Sequence, residues 1–129
     1  MKIKLEPIGF ISTSVEKIPR HWTVSNVEGD LVINKSYREG LRDIRPGQRL
    51  YVIFYFHKSP EFSPEYMRIK PQVSDKIVGV FSTHSPVRPN PIGLSILEVL
   101  SVSDNVIHVK GLDMLDGTPI LDIKPATDP

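Results

Sequence analysis

Gln48-Arg49-Leu50-Tyr51-Val52-Ile53-Phe54-Tyr55-Phe56-His57 has the strongest β-strand character in the chain. It consists mainly of aromatic and β-branched residues, the types that are enriched in β-strands. Because side chains alternate between the two faces of a strand, this pattern makes both faces apolar, and we expect both to be covered. Residues 48–57 therefore predict a central strand. The alternative is a strand that lays one face against a second subunit.

Shorter strands are indicated on both sides of this stretch by β-branched runs between turn residues. Ser36 is expected to cap a helical turn that ends at Leu41, with Glu39 completing a capping box. The Pro-broken residues 59–74 are expected to form an exposed loop. The predicted strands, with a hairpin across Ser103-Asp104, are residues 7–13, 30–35, 77–83, 92–102, 105–112 and 119–123.

The 12 prolines argue against a mainly helical fold. Their spacing leaves no room for a long helix after Lys58, because proline breaks helices, so neither a helical bundle nor a doubly wound fold is expected. Short strands separated by turn residues are typical of a β-barrel or a sandwich. The sequence thus predicts a mainly all-β chain: a small single-domain β-barrel with short helical turns and long Pro-rich loops.

Length and composition exclude several classes of protein. The chain has 129 residues, the size of one domain, and a net charge of +1. It has no cysteine, which excludes a disulfide scaffold, a cysteine nucleophile and an iron–sulfur cluster. No run reaches the roughly 20 apolar residues of a membrane span, and the N-terminus lacks a signal peptide. We expect a cytoplasmic protein with no membrane partner.

Charge is unevenly distributed along the chain. Residues 30–76 hold nine Lys/Arg and six Asp/Glu, together with seven of the ten aromatic residues. Basic residues interleaved with aromatic ones would suit a single-stranded RNA loop, which is bound by phosphate contacts and base stacking. The alternative is a solvated loop beside a packed strand.

The densest motif is residues 79–93, GVFSTHSPVRPNPIG. Its three prolines fix backbone angles and predict a stiff connection that could hold polar groups for a ligand. Arg88 offers a planar donor fork suited to a carboxylate or phosphate, and Asn90 can both donate and accept. Gly93 would permit a close approach. The alternative is a rigid sheet connection with Arg88 in solvent.

A second motif is residues 111–125, GLDMLDGTPILDIKP. Asp113 and Asp116 flank an apolar pair, and such carboxylates could hold an ammonium, a sulfonium or ribose hydroxyls. The alternative is a simple hairpin turn at Asp116-Gly117. The histidines, His21, His57, His84 and His108, stand at no metal-ligand spacing, so we expect no metal site.

Together these motifs resemble the TsaA-like (TrmO) family, small β-barrel proteins that are S-adenosylmethionine-dependent tRNA methyltransferases. The resemblance covers most of the chain. It is carried by residues 7–12, 18–20, 40–43 and 55–57, and above all by the runs 88–93 and 116–125.

The resemblance implies methylation of the exocyclic nitrogen of threonylcarbamoyl-adenosine, beside the anticodon of a tRNA, by a homodimer. Methyl transfer from a sulfonium demands orientation and exclusion of water, and a base would help because the acceptor nitrogen is conjugated to a carbonyl. His57, Arg88 and Asn90 are the candidate catalytic residues. The implied S-adenosylmethionine site comprises Pro19, Arg20, His21, His57, Lys58, His84, Leu94, Asp113, Met114, Leu115, Asp116, Gly117 and Thr118.

Three positions depart from the family pattern. The family usually has Arg where His84 stands, Gln where His21 stands and an aromatic residue where Ala126 stands. A histidine side chain can be neutral or charged, whereas Arg is always charged, so cofactor affinity or substrate identity could differ. Two alternatives stay open: His21, His84 and the small size suit a non-catalytic module that binds a nucleoside or other small ligand, and the low net charge suits a methyltransferase for a small metabolite.

Overall fold

The computed structural model of this chain describes residues 1–71 and 74–126, and within them it is built mostly from strands. Four short 3₁₀ turns are the helical elements of the described chain: η1 Trp22–Val24, η2 Lys35–Leu41, η3 Pro64–Met67 and η4 Val80–Ser82. The strands are β1 Gly9–Ser12, β2 Glu28–Ile33, β3 Arg49–Tyr55, β4 Arg68–Ile69, β5 Val78–Gly79, β6 Ile92–Ser103, β7 Val106–Lys110 and β8 Pro119–Pro125.

Six of these strands close into an antiparallel barrel in the order β1-β2-β7-β6-β3-β8. β3 pairs with β6 on one side and with β8 on the other, which confirms the predicted strand, but its outer face is not covered as expected, since Tyr55 there is 42% exposed. Pairing of Gly9 with Ile120 closes the barrel between β1 and β8. The predicted mainly-β barrel with short helical turns is thereby confirmed.

Alternation along the strands places the core inside the barrel. On β3, Leu50, Val52 and Phe54 point inward and are at most 3% exposed, whereas Tyr51 and Tyr55 point outward. Burying an aliphatic or aromatic side chain of this size contributes roughly 1.5–3 kcal/mol. The inner residues of the other strands that are 0% exposed are Ile11, Leu31, Leu97, Ile107, Val109 and Ile120.

The outside of the barrel at β2 and β7 is polar. The His108 ring lies 2.7 Å from Asp30 Oδ1 through Nδ1 and 2.9 Å from Glu28 Oε1 through Nε2. The hydrogen bond with Asp30, followed by the one with Glu28, raises the pKa of His108 above 6.5. His108 is thus a surface residue between two carboxylates, as expected for a histidine on a strand.

Three local predictions were wrong in part. Of residues 77–83 only Val78–Gly79 forms a strand, because Val80 O accepts from both the N–H (3.0 Å) and the hydroxyl (2.7 Å) of Thr83 and the chain turns there. The helical turn begins at Lys35 after Asn34, without a side-chain cap, so Ser36 is not its N-cap. Residues 59–74 contain η3 and β4 rather than loop alone, although positions 72 and 73 lie outside the described residues.

No helix in the described part of the chain has the length and hydropathy needed to cross a membrane. Across residues 1–71 and 74–126, no group of three or more His, Asp or Glu side chains is placed to hold a metal ion.

Gly93 is the position at which the barrel packs most tightly beside its functional motifs. A Cβ atom there would lie 2.3 Å from Phe54 Cζ and 2.8 Å from Phe56 Cζ. The two phenylalanine rings meet edge to face with centroids 5.0 Å apart, so neither can move aside without disturbing the other. The close approach predicted for Gly93 is therefore one between β6 and these aromatic rings.

We expect Gly93→Ala to destabilise the fold by about 1–3 kcal/mol, the usual cost of overpacking a filled site. Thermal unfolding would measure this as a fall of several degrees in Tm. Gly40→Ala is the matched control, because a Cβ at Gly40 meets nothing within 4 Å. Equal Tm values for the two variants would contradict this account of Gly93.

Candidate active site

A cleft of about 510 Å³ opens at the end of the barrel where β3 ends and β6 begins. A smaller cavity of about 280 Å³ adjoins it and shares Phe54, Phe56, Pro86, Asp113 and Leu115 with it. Four separate chain segments meet here: the loop that precedes η1, the loop after β3, the Pro-rich connection before β6 and the loop before β8. Pockets of this size are typical of small-molecule sites.

Most of the residues singled out from the sequence line these two spaces. The large cleft holds Pro19, Arg20, His21, His84, Arg88, Leu94, Asp113 and Leu115. The small cavity holds His57, Lys58, Met114 and Thr118 as well as Asp113 and Leu115. These positions are up to about 100 residues apart in sequence, so the fold brings them together.

Three of the singled-out residues lie elsewhere. Asn90 lines a separate cavity on the outside of the barrel, beside Tyr55 and Ile92, and its predicted catalytic role stays a prediction. Asp116 lines neither space, because its Oδ1 accepts from the Thr13 backbone N–H at 2.9 Å. Gly117 has φ +82 in the turn that follows, so this turn is structural as well as close to the site.

Asp113 is the half-buried carboxylate of the cleft. Burial raises its pKa above the ordinary value of 3.8, while the hydrogen bond from Ser95 and the backbone N–H of Trp22 lower it. Ser95 Oγ donates to Asp113 Oδ1 at 2.6 Å, and Ser95 itself is 1% exposed. A carboxylate held by an inward-facing hydroxyl of the barrel is suited to a cationic ligand group, which would supply the missing counter-charge.

The loop before β2 is fixed over this carboxylate by His21. The backbone N–H of Thr23 donates to His21 Nδ1 at 3.3 Å, and Thr23 Oγ1 lies 2.7 Å from the same ring nitrogen. The ring packs 5.1 Å from Trp22 and 5.4 Å from His84, measured between centroids. Arg49 in turn lies 5.8 Å over the Trp22 ring. His21 and His84 are therefore placed side by side on the rim.

Arg88 is held at the cleft rather than in free solvent. Its Nη1 donates to Thr83 O at 3.0 Å and to Ser85 O at 3.2 Å. Within the described residues, the hydrogen bonds of this guanidinium involve Nη1 alone. Nε and Nη2 can therefore donate to a carboxylate or phosphate of a ligand, the role that the sequence suggested for Arg88.

Sequence reasoning missed Ser95, Phe54 and Phe56 as lining residues. Ser95 could have been identified from the sequence, because it stands between Gly93 and Leu97 on the inward face of β6, where its neighbours carry no polar side chain. A hydroxyl at such a position needs a buried partner, and Asp113 is that partner. The two phenylalanines belonged to the central strand and gave no separate indication of a site.

A second large cavity, of about 460 Å³, lies at the other end of the barrel. Its walls are mainly apolar and include Ile33, Leu41 and Leu50, with Tyr37 and Lys124 beside them. It contains none of the singled-out residues, so the chemistry-bearing side chains are concentrated at one end of the molecule.

The fold and the cleft define a class: a small antiparallel β-barrel with a loop-built ligand site over one end. The chain belongs to the TrmO family, since the family model described as the tRNA-methyltransferase O N-terminal domain matches residues 11–128. The resemblance seen in the motifs is thereby confirmed.

Individual relatives cover the chain to different extents. An S-adenosyl-L-methionine-binding protein of Archaeoglobus fulgidus is 36% identical over 123 residues, which span 93% of this chain and 86% of the relative. A tRNA (adenine(37)-N6)-methyltransferase of Mus musculus is 34% identical and matches 93% of this chain but only 30% of its own length. A crystal structure of TrmO from Pseudomonas aeruginosa superposes with TM-score 0.77 at 28% identity, covering 98% of this chain and 57% of that one.

We expect Asp113→Asn to raise Tm at pH 7. The folded-state pKa of Asp113 lies above that of the unfolded chain, so ionisation of the carboxylate lowers the free energy of unfolding as the pH rises above 3.8. Asparagine keeps the acceptor for Ser95 without the charge. The gain should therefore shrink as the pH falls toward 3.8.

Thermal unfolding between pH 4 and 7 would measure the effect of Asp113→Asn. Asp116→Asn serves as control, because Asp116 is exposed and an amide oxygen can still accept from Thr13. A lower Tm for Asp113→Asn at pH 7 would contradict this expectation, because it would show that the ionised carboxylate stabilises the fold.

Proposed function

We propose that this chain uses S-adenosylmethionine to methylate the exocyclic nitrogen of threonylcarbamoyl-adenosine beside the anticodon of a tRNA. The proposal rests on the composition of the cleft, in which the half-buried carboxylate of Asp113 and the basic side chains of Arg20 and Arg88 line one space. The names of the relatives support it, since they bind S-adenosyl-L-methionine or methylate an adenine of tRNA. We propose the cytoplasm as the compartment of this activity, because a tRNA substrate is available there.

The residues of the cleft fit the cofactor. S-adenosylmethionine supplies a methyl group on a sulfonium, and it also carries an ammonium, a carboxylate and an adenosine. Asp113 would hold a cationic group of the cofactor. Burial raises the pKa of this carboxylate, and a neighbouring positive charge would stabilise its ionised form. Phe54, Phe56 and Leu115 provide an apolar wall that excludes water from the reacting atoms.

Arg88 and Arg20 would meet the negative groups of cofactor or substrate. The free Nε and Nη2 of Arg88 form a fork for a carboxylate, such as that of the threonyl group. Thr83 O and Ser85 O fix the guanidinium in advance, so little entropy is lost on binding.

His57 is the proposed base that takes the proton of the acceptor nitrogen. It lines the small cavity next to Asp113 and is partly exposed. In the described residues no hydrogen bond engages its ring, so the imidazole nitrogens are open to a substrate in this cavity. For methyl transfer the protein needs to orient the two reactants and to accept one proton.

Calorimetric titration with S-adenosylmethionine tests binding of the cofactor. Methyl-transfer assays with tRNA that carries the threonylcarbamoyl group, and with tRNA that lacks it, then test the substrate. We expect binding by the unaltered chain, at least 10-fold weaker binding by Asp113→Asn, and methylation of threonylcarbamoylated tRNA only. A missing charged hydrogen bond of this kind is worth about 1.5–3 kcal/mol, which sets that expectation. Asp122→Asn, beside Lys124 on an exposed surface, is the control.

Each other outcome identifies an alternative. Cofactor binding without turnover on the modified tRNA would indicate a non-catalytic binding module. Turnover on a small metabolite, with affinity that hardly depends on salt, would indicate a small-molecule methyltransferase, because phosphate contacts make affinity strongly salt-dependent. Absence of cofactor binding would contradict the proposal itself.

We also propose that the chain forms a homodimer through the apolar outer face, defined as Phe10, Tyr55, Ile92, Pro119 and Leu121. Phe10, Tyr55 and Ile92 are 47%, 42% and 39% exposed, and four of the five residues line one groove. Exposed apolar patches of this kind mark interaction sites. Next along β6, Leu94 lines the cleft, so a partner on this face would adjoin the active site.

We expect Tyr55→Asp to convert a dimer into a monomer, because it places a charge within an apolar interface. Sedimentation velocity would measure the change. Tyr37→Asp is the control, since Tyr37 is similarly exposed, at 48%, but lies at the other end of the barrel. A monomeric unaltered chain, or an unchanged dimer in Tyr55→Asp, would contradict this assignment of the interface.

A further inference from the structure

Phe81 is the most exposed aromatic residue of the described chain, at 71%. It belongs to η4, directly before the Pro-rich connection that lines the cleft. A phenylalanine in that position contributes little to the core, because most of its side chain stays in contact with water. Its ring is therefore a surface feature that the fold itself does not require.

The turn that carries Phe81 is fixed. Val80, the preceding residue, is 1% exposed and anchors η4 to the protein. The N–H and the hydroxyl of Thr83 both donate to Val80 O, at 3.0 and 2.7 Å. The ring is thus presented on a rigid base, which reduces the entropy that a ligand must overcome when it binds there.

Arg88 connects this ring to the cleft. Its guanidinium carbon lies 6.0 Å from the Phe81 ring centroid, and Arg88 also lines the large cleft. Because Nη1 donates to Thr83 O and Ser85 O, the guanidinium is held at a fixed place between the Phe81 ring and the cleft. A ligand that reaches from the ring into the cleft would pass this charge.

The surroundings of the ring are basic and partly apolar. β4 pairs with β5 outside the barrel, which places Arg68 opposite Gly79 near the start of η4. Residues 66–88 hold four Lys/Arg and one Asp, and Arg68, Lys70 and Lys76 are exposed. Ile77, which precedes β5, is 63% exposed. Cations around an exposed aromatic ring favour an anionic ligand with flat, stackable groups.

We propose that Phe81 is a stacking platform for an unpaired base of an RNA loop, with Arg88 as its cationic neighbour at the cleft. This inference rests on the proposed function, in that the ligand is RNA. Single-stranded bases stack on aromatic side chains and arginine planes, while nearby cations contact the phosphates. Lys70 and Lys76 near the ring favour RNA over a protein partner, because lysine is depleted at protein interfaces whereas lysine contacts phosphates readily.

Fluorescence anisotropy with a labelled anticodon stem–loop RNA tests the platform at one fixed salt concentration. Stacking is worth about 1–3 kcal/mol per base, so Phe81→Leu should weaken binding about 5- to 150-fold. Phe81→Trp should restore the affinity, since it retains a flat π-face. Tyr37→Leu, an exposed aromatic at the other end of the barrel, should bind like the unaltered chain.

Calorimetry with S-adenosylmethionine separates the platform from the proposed function. We expect all three variants to bind the cofactor normally, because Phe81 is exposed and does not line the cleft. Equal RNA affinity for Phe81→Leu and the unaltered chain would overturn the platform alone. Failure of the unaltered chain to bind the RNA would contradict the substrate and the platform together. If Phe81→Leu dissociated a dimer without RNA, the ring would be a protein contact instead.

Discussion

The contact between β3 and Gly93 is the constraint on which the functional end of this barrel depends. Phe54 and Phe56 approach the Gly93 backbone so closely that a single methyl group would clash with both rings. This approach sets the position of the first residues of β6, and with them Leu94 and Ser95 at the cleft. Ser95 in turn holds Asp113, so the packing of two rings determines where the charge of the site lies.

The site combines rigid loops with one unfavourable charge. Proline, the His21 ring and the arginine hydrogen bonds fix the rim, while Asp113 is half buried with a raised pKa. The fold tolerates this carboxylate because Ser95 donates to it, and a cationic ligand would relieve the remaining cost. Sites of this kind trade stability for function, which explains why the charge lies in the cleft and not on the polar outer face near His108.

Much of the fold was predictable from local pattern, because the strand periodicity of residues 48–57 and 92–102 matches the elements observed. Residues 77–83 show the limit: Val80 and Phe81 favour a strand, yet Thr83 closes a turn. Arg88 and Asp113 were singled out from turn and charge chemistry. Barrel closure and cross-strand register bring Arg88 and Asp113 to one cleft, separate Asn90 from it and place Ser95 beside Asp113. These relations join residues far apart in sequence, so a local sequence pattern cannot predict them.

The most direct test of this account is a crystal structure with bound S-adenosylhomocysteine, the demethylated cofactor. We expect the ligand in the cleft at the end of β3, with its ammonium within hydrogen-bond distance of the Asp113 carboxylate and its base against Phe54 and Phe56. Binding in the cavity at the other end of the barrel, beside Tyr37 and Leu41, would contradict it. So would a ligand in the Asn90 groove.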